Sequence, residues 1–169
     1  VSKSKLKKIF NINSPFPFNS NLLKEIKFIN ILANINSNDD INNVNLLIQK
    51  FNENYPNANF QYFLYLGDNE LQIDNEKFII LNDIIPKNIF SSVNNAINKS
   101  LNNVNFYSDI TIYYNPDFFS PINYLLKFID KKAYIGIGSE EYQNYFQLYF
   151  INNKKFKIDT IFDFLSKFK

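Results

Sequence analysis

The sequence has 169 residues, 46% hydrophobic and 18% aromatic, which suits one hydrophobic core and excludes wholesale disorder, a second independent domain and a disulfide-stapled miniature fold. It contains no Cys, His, Met, Trp or Arg, so its 18 basic residues are all Lys, and the formal net charge of +2 is too small to imply nucleic acid by itself. Without His or Cys, a Ser-His-Asp or Cys-His nucleophilic system and a nitrogen/sulfur metal site are excluded.

In chain order, residues 3–12 read as a short basic helix with Leu6, Ile9 and Phe10 on one side, broken by Pro15 and Pro17. Lys27–Ile35 is apolar and short, a first strand. Asn38, Asp39 and Asp40 supply capping groups for a helix carrying Ile41, Val44, Leu47, Ile48 and Phe51 at three- to four-residue spacing, which stops near Tyr55-Pro56. A second strand runs over Ala58–Leu66 and turns at Gly67-Asp68, and Lys77–Leu81 is a short third. Residues 87–100 are predicted helical, with Ile89, Phe90, Val93, Ala96 and Ile97 on one face. Asp109–Tyr114 is the fourth strand. Ser120 caps, and Pro121 opens, a helix to about Ile129. Lys132–Gly138 and Phe146–Ile151 are the fifth and sixth strands, and Ile158–Phe168 is a last amphipathic helix presenting Ile161, Phe164, Leu165 and Phe168. Strands alternating with helices predict an α/β fold, a doubly wound, mainly parallel Rossmann-like sheet of five to six strands with helices on both faces. Residues 1–20 read as a basic helix and Pro-containing connector, and 21–169 as the domain.

Asn, Ile, Lys, Phe and Tyr dominate the alphabet, and all have AT-rich codons. That bias accounts for scattered Asn as surface filler, and its regular alternation with apolar residues argues for folding over an aggregation-prone tract. The basic charge is local. Residues 1–28 carry six lysines against Glu25, a net of +5, whereas the remainder carries 12 lysines against 15 acids, a net of −3. No apolar run reaches the roughly 18 residues of a membrane span, and the first residues lack the pattern of a secretory signal, so a cytoplasmic location is expected.

The stretch Tyr107–Leu148 combines an Asp-led strand (Asp109-Ile110-Thr111-Ile112), a Pro-led helix carrying Tyr (Pro121-Ile122-Asn123-Tyr124), a strand ending near Gly (Lys131–Gly136) and an acidic-aromatic segment (Glu140-Glu141-Tyr142, then Tyr145–Leu148). In this pattern it resembles a family of small uncharacterised Rossmann-like α/β proteins of Bacteroidetes, which also begin with a Lys-rich helix and finish with a lone helix. The resemblance in element order extends over most of the chain, with its specific residues in about 40 positions. It implies fold and lineage, and no activity. More remotely, the Asp109 strand, the following helix and the Lys131–Gly136 strand are similar to the N-terminal half of heptosyltransferase-type glycosyltransferases, whose second domain, which binds the nucleotide sugar, has no room in this sequence.

A dinucleotide site needs a glycine-rich first βα turn, so that backbone N–H groups reach the pyrophosphate at a helix N-terminus. After the first strand this chain offers Asn36-Ser37-Asn38-Asp39-Asp40, with two carboxylates where phosphate would sit, so no NAD, FAD or other cofactor is expected. Gly136-x-Gly138-Ser139 reads as a tight turn or close packing, with a ligand-contacting loop as the alternative. Asp39-Asp40, Asp68/Glu70 and Glu140-Glu141 read as helix starts or solvated turns, and hard-cation binding stays open. No spacing singles out a carboxylate pair for glycoside hydrolysis. With 11 Tyr and 19 Phe in the sequence, Tyr113-Tyr114 and Tyr142/Tyr145 read mostly as chance and core packing, with surface stacking on bases or sugars as the alternative. Lys3, Lys5, Lys7 and Lys8 are the strongest functional cue. They read as a solvated basic helix end or as a candidate contact for an anionic partner, directed at the phosphate backbone because Lys lacks the fork of Arg.

These readings point away from an enzyme. The leading expectation is a non-enzymatic interaction or accessory module with a protein partner or larger assembly. The alternatives are a ribonucleoprotein (ribosome-associated) component using the Lys-rich segment on RNA, and a degenerate glycosyltransferase-like domain.

Overall fold

The computed structural model describes residues 20–67, 71, 73, 76–82, 104, 106–115, 122, 125, 129–153 and 155–167. Six strands, β1 (Phe28–Ile35), β2 (Asn59–Leu66), β3 (Ile79–Ile80), β4 (Tyr107–Asn115), β5 (Asp130–Gly138) and β6 (Leu148–Ile151), form one all-parallel sheet in the order β3-β2-β1-β4-β5-β6. This is the doubly wound, Rossmann-like α/β architecture that the element pattern predicts. β2, β1 and β4 lie side by side and parallel towards its centre. In β1 every residue after Phe28 is buried, as a parallel strand covered on both faces requires.

Alternate residues serve two cores. Ile29, Ile31, Ala33 and Ile35 of β1, with Ile110, Ile112 and Tyr114 of β4 and Ala133, Ile135 and Ile137 of β5, point to a face covered by two helices, α1 (Asn38–Asn54) and α2 (Asp159–Ser166). α1 contributes Val44, Leu47, Ile48 and Phe51, while α2 contributes Ile161 and Leu165. The helices meet through Phe51 and Phe162, whose ring centroids are 4.8 Å apart at 64°, and through an ion pair at 2.8 Å between the half-buried Lys50 and the exposed Asp159. The opposite face carries Leu32, Phe63, Tyr65, Tyr113 and Tyr134, which pack with Leu81, Ile122, Leu125, Ile129 and a 3-10 turn over Glu140–Tyr145.

Several boundaries differ from the sequence expectation, each for a local reason. The third strand pairs only at Ile79 and Ile80, because Asn82 turns its side-chain amide onto β2. Asn82 Oδ1 accepts from Leu66 N at 2.8 Å and Asn82 Nδ2 donates to Leu66 O at 2.7 Å, so a side chain continues the ladder in place of backbone. The sixth strand starts at Leu148, since Gln147 Oε1 accepts from Tyr134 N at 2.8 Å and occupies the pairing position before it. The cap of α1 is Ser37, whose Oγ accepts from Asp40 N at 3.2 Å. Asn is not only surface filler: Asn30, Asn34 and Asn115 are all buried in the sheet. The expected helices at 3–12 and 87–100, and that at 120–129 apart from the buried Ile122, Leu125 and Ile129, lie outside the described residues.

Candidate functional site

The order β3-β2-β1-β4-β5-β6 reverses direction between β1 and β4, and open α/β sheets bind ligands outside the carboxyl ends of the strands at such a switch point. In this chain that location is occupied by two hydrogen-bonded clusters of its own side chains.

On the helical face, the buried Asp40 carboxylate in the first turn of α1 accepts from Asn36 N and Ser37 Oγ, both at 3.0 Å, through Oδ2. Its Oδ1 accepts from the Tyr114 hydroxyl at 2.8 Å, and that hydroxyl receives Asn43 Nδ2 at 3.2 Å and Asn152 Nδ2 at 3.5 Å. Ser37-x-x-Asp40 is a variant of the capping box in which the acidic side chain reaches back to the residue before the cap. Burial pushes the Tyr114 hydroxyl well above the ordinary tyrosine range; donation by Asn43 opposes the shift and the Asp40 charge adds to it. Opposite the helical face, Asn34 Nδ2 donates to Asn115 Oδ1 at 3.2 Å, and Asn115 Nδ2 donates to the Tyr113 hydroxyl at 2.7 Å. Tyr113 is likewise held neutral by burial.

The chemical consequence concerns anions. In a dinucleotide-binding fold the free donors at the start of the first helix, with its partial positive charge, face the pyrophosphate. Here Asn36 N and Asp40 N are already satisfied, and a carboxylate sits among them.

Gly136 and Gly138 lie inside β5, not in a loop beyond it, and the space beside them is filled. A Cβ on Gly136 would come within 2.5 Å of a Tyr149 ring carbon and 2.6 Å of Phe146, and one on Gly138 would collide with Asn115 O. The close-packing reading of the pair is therefore the one its geometry matches. Ser139 follows the strand, with its backbone O accepting from the Tyr149 hydroxyl at 2.6 Å, and its own Oγ is enclosed. The candidate stacking aromatics Tyr113, Tyr114, Tyr142 and Tyr145 are all buried, which matches core packing and not the surface reading: alternation along β4 sends Tyr113 and Tyr114 into opposite cores, and the 3-10 turn over Glu140–Tyr145 turns Tyr142 and Tyr145 into the same core as Tyr113.

Asp109, the acidic residue of the resembling motif, lies at the other end of the sheet. Its Oδ2 accepts from Lys27 N at 2.9 Å and Phe28 N at 3.0 Å, and its Oδ1 accepts from the Tyr107 hydroxyl at 2.9 Å, so it pins the entry of β1 to β4. Lys3, Lys5, Lys7, Lys8, Asp68 and Glu70 lie outside the described residues. Among the described residues no three His, Cys, Asp or Glu side chains gather as a metal site, and no helix is long and apolar enough to cross a membrane.

Protein-family models, curated proteins and solved structures offer no match to this chain. Sequence reasoning missed the Asp40–Tyr114 and Asn34–Asn115 contacts, which join residues 74 and 81 positions apart. Only the Ser37-x-x-Asp40 spacing was a signal for either.

Proposed function

We propose that the chain is a non-enzymatic interaction module whose Rossmann-like sheet serves as a scaffold. The observation that carries this reading is the Asp40 carboxylate at the start of α1, bonded to Asn36 N, Ser37 Oγ and Tyr114. It fills the place where this architecture ordinarily receives phosphate, and it opposes a second anion there. The filled flank of Gly136 and Gly138 supports the same reading at the neighbouring strand. The test is a thermal-shift panel of NAD, FAD, ATP and a nucleoside-diphosphate sugar at millimolar concentration. No shift is expected, and a saturable shift with the nucleotide sugar would favour the glycosyltransferase-like alternative.

The charge asymmetry favours a second reading, in which Lys3, Lys5, Lys7 and Lys8 contact the phosphates of an RNA. Affinity for single-stranded RNA is then expected to fall with salt by roughly 0.7 log unit per log unit of salt for each phosphate neutralised. Removing residues 1–13 abolishes it. Equal affinities with and without that segment overturn the RNA reading and leave the interaction-module reading standing.

A further inference from the structure

A cleft lies on the helical face beside α1. Its volume is about 290 Å³, and it is walled by Ile35 of β1, Leu64 of β2, Ile41 and Val44 of α1, and Ile73 and Phe78 of the connection from β2 to β3, with Asn45 and Lys77 completing its lining. Lys77 is the single charged side chain among the lining residues. Its ammonium stands 5.1 Å from the Tyr62 ring centroid and 5.6 Å from that of Phe78, so two aromatic faces hold it against the apolar wall. Among the described residues no carboxylate forms an ion pair with it; the recorded ion pair is Lys50–Asp159.

We propose that this cleft binds a small amphipathic anion, an apolar chain or ring ending in one carboxylate, with the apolar part against Ile35, Val44 and Leu64 and the carboxylate at Lys77. The volume sits at the small end of ligand cavities, which suits a compact ligand. A single ammonium with one exposed amide in the same lining suits a monocarboxylate, whereas phosphate groups call for several converging donors or a free helix N-terminus. The site is separate from the switch point and holds or fails independently of the interaction-module reading.

The test is isothermal titration calorimetry of the full chain with hexanoate, octanoate, 1-octanol and octylammonium. Octanoate is expected to bind one saturable site, more tightly than hexanoate by up to about fourfold for each added methylene. Octanol and octylammonium are expected to bind more weakly. Lys77→Gln weakens octanoate by about fivefold and leaves octanol unchanged, and Asn45→Asp, which adds a negative charge to the lining of the cleft, acts in the same direction. Both side chains are exposed, so neither variant threatens the fold. No saturable octanoate binding, octanol binding as tight as octanoate, or a Lys77→Gln variant with unchanged octanoate affinity would each overturn the proposal.

Discussion

The Tyr114 hydroxyl donates to Asp40 Oδ1 at 2.8 Å across the switch point, joining the central strand β4 to the first turn of α1. Both groups are buried, so each depends on the other for a partner that water would otherwise supply. Tyr114→Phe leaves the carboxylate one donor short and is expected to lower unfolding stability by about 1–3 kcal/mol. Asp40→Ala strips partners from Asn36 N and Ser37 Oγ as well, and costs at least as much. Urea midpoints of the two variants and of their double mutant measure the coupling, expected at about 0.5–3 kcal/mol. Strict additivity would show that the contact does not hold the two elements together.

Gly136→Ala is expected to destabilise by about 1–3 kcal/mol, because the new methyl meets the rings of Phe146 and Tyr149 inside a filled core. Combining it with Tyr149→Leu, which shortens the obstructing side chain, should recover part of the loss. Denaturant unfolding of the single and double variants reads both effects. A neutral Gly136→Ala variant would contradict the packing described for β5.

Asp109 accepts two backbone N–H groups at the entry of β1. Asp109→Ala orphans both and removes the Tyr107 contact, with an expected cost of at least about 2 kcal/mol. Amide hydrogen exchange should speed up at Lys27 and Phe28 before it does at the middle of β1. Unchanged exchange there would count against the pinning role.

Alkaline pH should unfold the chain cooperatively. Burial raises the hydroxyl pKa of Tyr113, Tyr114, Tyr134 and Tyr149 above the ordinary value of 10.0. A raised folded-state pKa means that the native state keeps protons which the unfolded chain releases. Their contribution is complete below about pH 10 and is lost as pH rises from there through the folded-state values. Urea midpoints are therefore expected to be flat from pH 7 to 9 and to fall above 10. Tyrosinate absorbance should show a late step coincident with loss of helix signal, and independent ionisation of all tyrosines near 10 with the fold intact would refute this.

Much of the architecture was written in local pattern. The mainly apolar β1, interrupted only by Asn30 and Asn34, called for a strand covered on both faces, and the spacing of Val44, Leu47, Ile48 and Phe51 called for a helix lying on that sheet. The lack of glycine after β1, together with Asp39 and Asp40, already spoke against a phosphate cradle, because composition and charge at a helix start act within a few residues. What tertiary structure alone decided was the use of the polar side chains. Asn82 after β3 and Gln147 before β6 stand in for backbone, Asn34 and Asn115 meet on neighbouring strands, and Tyr113 and Tyr114 enter opposite cores. None of these is legible in a chain so rich in Asn and Tyr, since an amide or phenol has the same local signature at a surface as in a buried pair. The difference is made by partners distant in sequence, which only the parallel register of the folded sheet brings within hydrogen-bond reach.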